Sequence, residues 1–68
     1  MRAVELSDGD QRVQAVELPD GVHFAICSKS DAKWRLHGGE RDVTLRQFVA
    51  RYTDAQQSWE IVRVWGTF

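Results

Sequence analysis

Along most of the chain apolar and polar residues alternate with a period of two, and only in VTLRQFVARYTD does the spacing become helical. Arg2 to Leu6 places Val4 and Leu6 on one face, and the following SDGD carries Asp8-Gly9, a two-residue hairpin signal. The next run, RVQAVEL, reads as a second strand over about 11 to 18. Its apolar parity slips between Ala15 and Val16, which predicts a bulge near Gln14 or Ala15. In LPDGV, Pro, Asp and Gly occupy successive corners of a turn. VHFAICS then alternates cleanly, with Val22, Phe24 and Ile26 inward and His23, Ala25 and Cys27 on the other side. After the loop KSDAK, Trp34 and Leu36 share a face of a fourth strand, KWRLH.

Thr44 followed by Gln47 is a capping box, and Val43 with Phe48 has the spacing of a hydrophobic staple. These signals start a helix at about Leu45 and end it near Thr53. Leu45, Phe48, Val49 and Tyr52 form its core-facing stripe, and Arg46, Gln47 and Arg51 fall on its wet side. A polar loop, DAQQS, leads to a fifth strand. Strict alternation there puts Trp59, Ile61, Arg63 and Trp65 on one face and Glu60, Val62, Val64 and Gly66 on the other.

The expected fold is therefore α+β: one domain spanning residues 1–68, ordered ββββαβ, with a bent, mainly antiparallel sheet packed on one helix. A helix of about ten residues is about 15 Å long and about 10 Å wide, whereas five strands span about 20 Å. The helix cannot cover the sheet, so the sheet curls, closes partly, or leaves a face free. The last strand decides what is exposed. With Val62 and Val64 beneath the helix, Trp59, Ile61 and Trp65 surround Arg63 on a face shared with His23, Ala25, Cys27, Arg35 and His37. With the tryptophans in the core, only the valine face is exposed.

Composition narrows this further. A 68-residue chain buries only about 60% of its unfolded surface, so its few large side chains carry the core. At 43% hydrophobic and 28% charged it has the composition of a globular domain rather than a disordered segment. The acidic start, MRAVELSDGDQRV, lacks the apolar run of a secretory leader, and Cys27 is the single cysteine, which together point to a cytoplasmic setting. The net charge of −1 conceals an asymmetry: residues 1–31 carry six acids against three bases, and residues 32–68 carry six bases against four acids.

Candidate chemistry is sparse. His23 and Cys27 lie about 13 Å apart along one strand, too far for a nucleophile and its base. HGGERD lacks the phosphate-loop ending and the dinucleotide fingerprint, and reads as a flexible turn. Asp8, Asp10 and Asp31 belong to hairpin tips at one end of the sheet, without a calcium-loop pattern. Arg35, Arg41, Arg46, Arg51 and Arg63 offer a nucleic-acid surface, against which the net charge weighs. No enzyme, metal site or cofactor is expected.

The leading expectation is a small protein-binding module that occludes a site on a larger, nucleic-acid-handling complex. By size and charge pattern it is analogous to phage-encoded inhibitors of bacterial defence, anti-CRISPR proteins among them. Its candidate partner-binding residues are the acidic tips Asp8, Asp10, Asp20 and Asp31, or the aromatic face Trp59, Ile61, Arg63 and Trp65. The alternatives are a nucleic-acid binder using arginines of the second half, and a structural homo-oligomer joined through the last strand.

Overall fold

The computed structural model describes residues 2–28, 33–54 and 58–67, leaving the side chains of Leu36 and His37 aside. The expectations for Asp31, for most of the loop KSDAK and for the middle of DAQQS lie outside the described residues. The elements are β1 (Arg2–Ser7), β2 (Gln11–Leu18), β3 (Gly21–Ser28), β4 (Trp34–Arg41), α1 (Leu45–Tyr52) and β5 (Glu60–Trp65). The protein is α+β. Its one sheet runs β4-β3-β2-β1-β5 with every neighbouring pair antiparallel, so β4 and β5 are its edges.

The helix forms where its caps dictate. Thr44 Oγ1 accepts from the Gln47 amide at 3.1 Å, and Gln47 Oε1 accepts from the Thr44 amide at 3.0 Å. The sheet adds a cap of its own: Glu17 Oε2 accepts from the Leu45 amide at 2.7 Å, placing a carboxylate at the positive end of the helix dipole. Arg2 sits 3.7 Å from the other Glu17 oxygen. At the C-terminal end the amide and hydroxyl of Thr53 both donate to the Val49 carbonyl.

Leu45, Phe48 and Val49 are buried against Val4, Leu6, Val13, Ala15 and Val22. Phe24, Ile26, Val43, Tyr52 and Trp59 close the rim. A run of rings crosses this core, from Phe24 to Phe48 (5.1 Å between centroids), to Tyr52 (4.8 Å) and edge-on to Trp59 (5.2 Å). Burial of the Tyr52 ring pushes its hydroxyl pKa up, with the nearby Glu40 charge adding to the effect. Arg51 Nη1 donates to both oxygens of Glu40, tying the exposed side of the helix to β4.

Three expectations are corrected. β2 has no bulge: its pairing with β1 and with β3 is unbroken, and Val16 simply faces away from the helix, opposite Ala3 and His23. HGGERD is not a flexible turn, because β4 continues through Gly38 and Gly39 to Arg41. The approach at Gly39 is close: a Cβ there would stand 3.0 Å from His23 Nδ1, so the imidazole would have to shift by a few tenths of an ångström to admit one. Arg35 does not join His23, Ala25 and Cys27; it pairs with Ile26, a helix-side position, while Trp34 pairs with Cys27. The two irregularities present lie in the edge pairings, between Phe24 and Ala25 toward β4 and between Glu5 and Leu6 toward β5.

Phe48 is 1% exposed and touches both neighbouring rings of the aromatic run. Phe48→Ala is expected to cost about 3–5 kcal/mol in urea unfolding, and Thr44→Ala about 1 kcal/mol through loss of the cap.

Candidate functional site

Residues paired across an antiparallel sheet stand on the same face, so the register identifies everything opposite the helix. One row runs Trp65, Ala3, Val16, His23 and Gly39. The next runs Arg63, Glu5, Gln14 and Ala25, and a third Glu60, Ser7, Arg12, Cys27 and Trp34. Small apolar residues hold the middle of the first row. Trp65 and His23, three strand spacings or about 14 Å apart, flank them. The result is a groove of about 380 Å³ floored by Ala3, Val16 and Ala25 and lined at its sides by Trp65 and His23.

The groove walls are held by polar contacts. The Arg63 guanidinium lies over the Trp65 ring, 5.6 Å from its centroid. His23 Nε2 is 3.1 Å from Asp20 Oδ1, and this hydrogen bond is the main cause that lowers the Asp20 pKa. Beside the groove Glu5 is 7% exposed, accepts from Gln14 Nε2 at 2.8 Å and lies 3.7 Å from Arg12. The buried carboxylate is thus satisfied by a donor and a cation. Arg12 also stacks on Trp34 at 5.7 Å, at the opposite corner of the face, where Cys27 is buried.

The structure divides the expected aromatic face. Ile61 pairs with Leu6 and Arg63 pairs with Glu5, although Leu6 and Glu5 are adjacent, so Val62 is an inserted bulge residue that resets the alternation. Trp59 joins the core rim against Tyr52, and Ile61 lies on the helix side. Arg63 and Trp65 alone remain together on the open face. Neither arrangement considered for this strand, all tryptophans out or all in, is the one adopted.

The acidic residues are also separated. Asp8 Oδ1 accepts from the amides of Asp10 and Gln11 at 2.9 and 2.7 Å, so it builds the first hairpin tip. Asp10 is exposed beside it, whereas Asp20 lies in the β2–β3 turn at the other end of the sheet. Asp31 is outside the described residues. The groove floor went unrecognised in the sequence; its signal is the small apolar residues at outward positions of three strands, Ala3 and Val16 in one row and Ala25 in the next.

Among the described residues no three His, Cys, Asp or Glu side chains are grouped as metal ligands, and no helix is long and apolar enough to cross a membrane. Comparison with known protein families, with curated proteins and with solved structures returned no match.

The Asp20–His23 contact makes a prediction. Because the Asp20 carboxyl is held below its ordinary value of 3.8, the contact stabilises the fold above that value and fades as pH falls through the lowered one. A carboxyl-detected NMR titration should place Asp20 below the ordinary Asp range, and His23→Ala should return it upward. An unchanged midpoint in the variant would remove His23 as the cause.

Proposed function

We propose that this chain is a non-enzymatic protein-binding module that engages its partner through the sheet face opposite the helix. The observation that supports this reading is the groove between Trp65 and His23, with an apolar floor and a cation stacked on its aromatic wall. Its volume of about 380 Å³ suits one or two large apolar side chains, and Trp with Arg at the margin is the composition of an interface hot spot. A partner segment would seat an aromatic or branched residue over Ala3 and Val16 and place an acceptor toward Arg63.

An inhibitor that covers a site on a larger nucleic-acid-handling complex in the cytoplasm, in the manner of phage anti-defence and anti-CRISPR proteins, is the use of this surface favoured by chain size and uneven charge. The aromatic anchor has better support than acidic mimicry. Asp8 is committed to its own turn, and Asp20 to His23 at the far end. Direct nucleic-acid binding through the helix has less support still, because Arg51 is engaged by Glu40.

Panning a random peptide-display library on immobilised protein tests the groove. Selected peptides should carry a large apolar anchor, and Trp65→Ala should weaken them by about 2 kcal/mol, some thirtyfold. Trp34→Ala, at the opposite corner, should leave them unchanged. Selected binders indifferent to Trp65→Ala would place the docking surface elsewhere.

A further inference from the structure

The edge strand β5 presents a second surface, separate from the groove. Its outer edge faces no other described strand, and the helix packs chiefly on β1, β2 and β3. Ile61, Val62 and Val64 are consequently 46%, 53% and 46% exposed. Soluble proteins guard such edges, and the bulge at Val62 is one such guard against indiscriminate pairing. A second copy is the one strand that brings the same bulge to the symmetry-related position.

Face and charge then select a register. Trp59, Ile61 and Val64 lie toward the helix side, and Glu60, Arg63 and Trp65 lie on the open face. Among two-fold antiparallel pairings that engage at least two-thirds of the strand, centring on Val62 puts Ile61 opposite Arg63, which mixes faces. Centring on Arg63, or between Arg63 and Val64, mixes them as well and brings like groups together. With the bulged Val62 set aside, two centres keep like faces together: between Val62 and Arg63, and between Ile61 and Val62. The first sets Glu60 opposite Trp65 and leaves both charges without a counterpart across the seam. The second sets Glu60 opposite Arg63 on the open face twice, with Ile61 opposite Val62 twice and Trp59 opposite Val64 on the helix side.

We infer that the chain self-associates through β5, antiparallel about a two-fold axis between Ile61 and Val62, with Glu60 of each copy facing Arg63 of the other. Charges then alternate along one row of the open face, from the second copy's Glu60 to Arg63 to Glu5. The apolar edge residues of each copy cover those of the other, and the two five-stranded sheets become one. This inference does not rest on the groove reading, although Arg63 serves both: it uses the free edge of β5 together with Glu60 and Arg63 on its open face.

Sedimentation equilibrium of the full chain, from tens to several hundred micromolar, tests it. Wild type should be a reversible dimer, and Glu60→Arg and Arg63→Glu should each weaken the dimer by at least about tenfold. Both positions are exposed, so the variants should keep the wild-type circular dichroism spectrum. Mixing the two variants in equal amounts should restore association as a heterodimer, and the double variant should restore it as a homodimer. A wild-type chain that stays monomeric throughout would overturn the proposal and leave the edge to a strand of different sequence. A dimer indifferent to both charge reversals, or not restored by mixing, would overturn the register. Groove-selected peptides that still bind Glu60→Arg while that variant stays monomeric would support the groove without the edge pairing, and a wild-type dimer that binds no such peptide would support the edge pairing without the groove.

Discussion

The mismatch between one short helix and a five-stranded sheet governs this structure. Eight residues of helix extend about 12 Å, and α1 rests on the three strands β1 to β3. Everything beneath it is closed: Val4, Leu6, Val13, Val22 and Leu45 have no exposed surface. The edges have no such cover. β5 therefore keeps an apolar sequence with nearly half the surface of Ile61 and Val64 exposed, even though both lie on the helix side. The same constraint explains the side of the sheet that no described helix approaches, where the protein must satisfy or expose each residue individually. Glu5 is satisfied by Gln14 and Arg12, Cys27 is covered, and the row through Ala3 and Val16 is left as a groove.

The bulge at Val62 resolves an apparent contradiction in the C-terminal segment. A strand with tryptophans six residues apart would place both on one face under strict alternation, and a core this small has no room for both beneath the helix. One inserted residue sends Trp59 to the rim of the core, where it meets Tyr52 edge-on, and Trp65 to the open face, where it meets Arg63. The first adds apolar cover beside the helix end. The second forms the groove wall.

Local signals were legible in the sequence and relational ones were not. The capping box of Thr44 and Gln47 and the stripe of Leu45, Phe48 and Val49 depend on residues within one or two turns, and each is found as read. The inward set Val22, Phe24 and Ile26 also follows from its own alternation, because β3 pairs regularly with β2 throughout. A bulge, by contrast, is defined only against a partner strand. The sequence of β2 looks irregular yet pairs without interruption, and the sequence of β5 looks regular yet contains the insertion. Glu17 capping a helix 28 positions later, and Gly39 admitting the His23 ring, are contacts that no local pattern encodes. The groove was hidden for the same reason, since Ala3, Val16 and Ala25 become one surface only when three strands are set side by side.

Because one strand supplies both the groove wall and the free edge, the two surfaces are mechanically linked. Trp65 is the last residue of β5, anchored on one side by its pairing with Ala3 and on its face by Arg63. Terminal residues of an edge strand fray most readily, as they have neighbours on one side only. A strand added along the outer edge of β5 removes that freedom and lowers the ordering cost of seating a ligand side chain against the indole. Edge pairing and groove binding would then favour one another through the rigidity of β5, with no change in the shape of the sheet. Arg63 stands at the junction, between Glu5 on the neighbouring strand and whatever charge the edge partner brings, so the sign of that charge governs how firmly its guanidinium stays over Trp65.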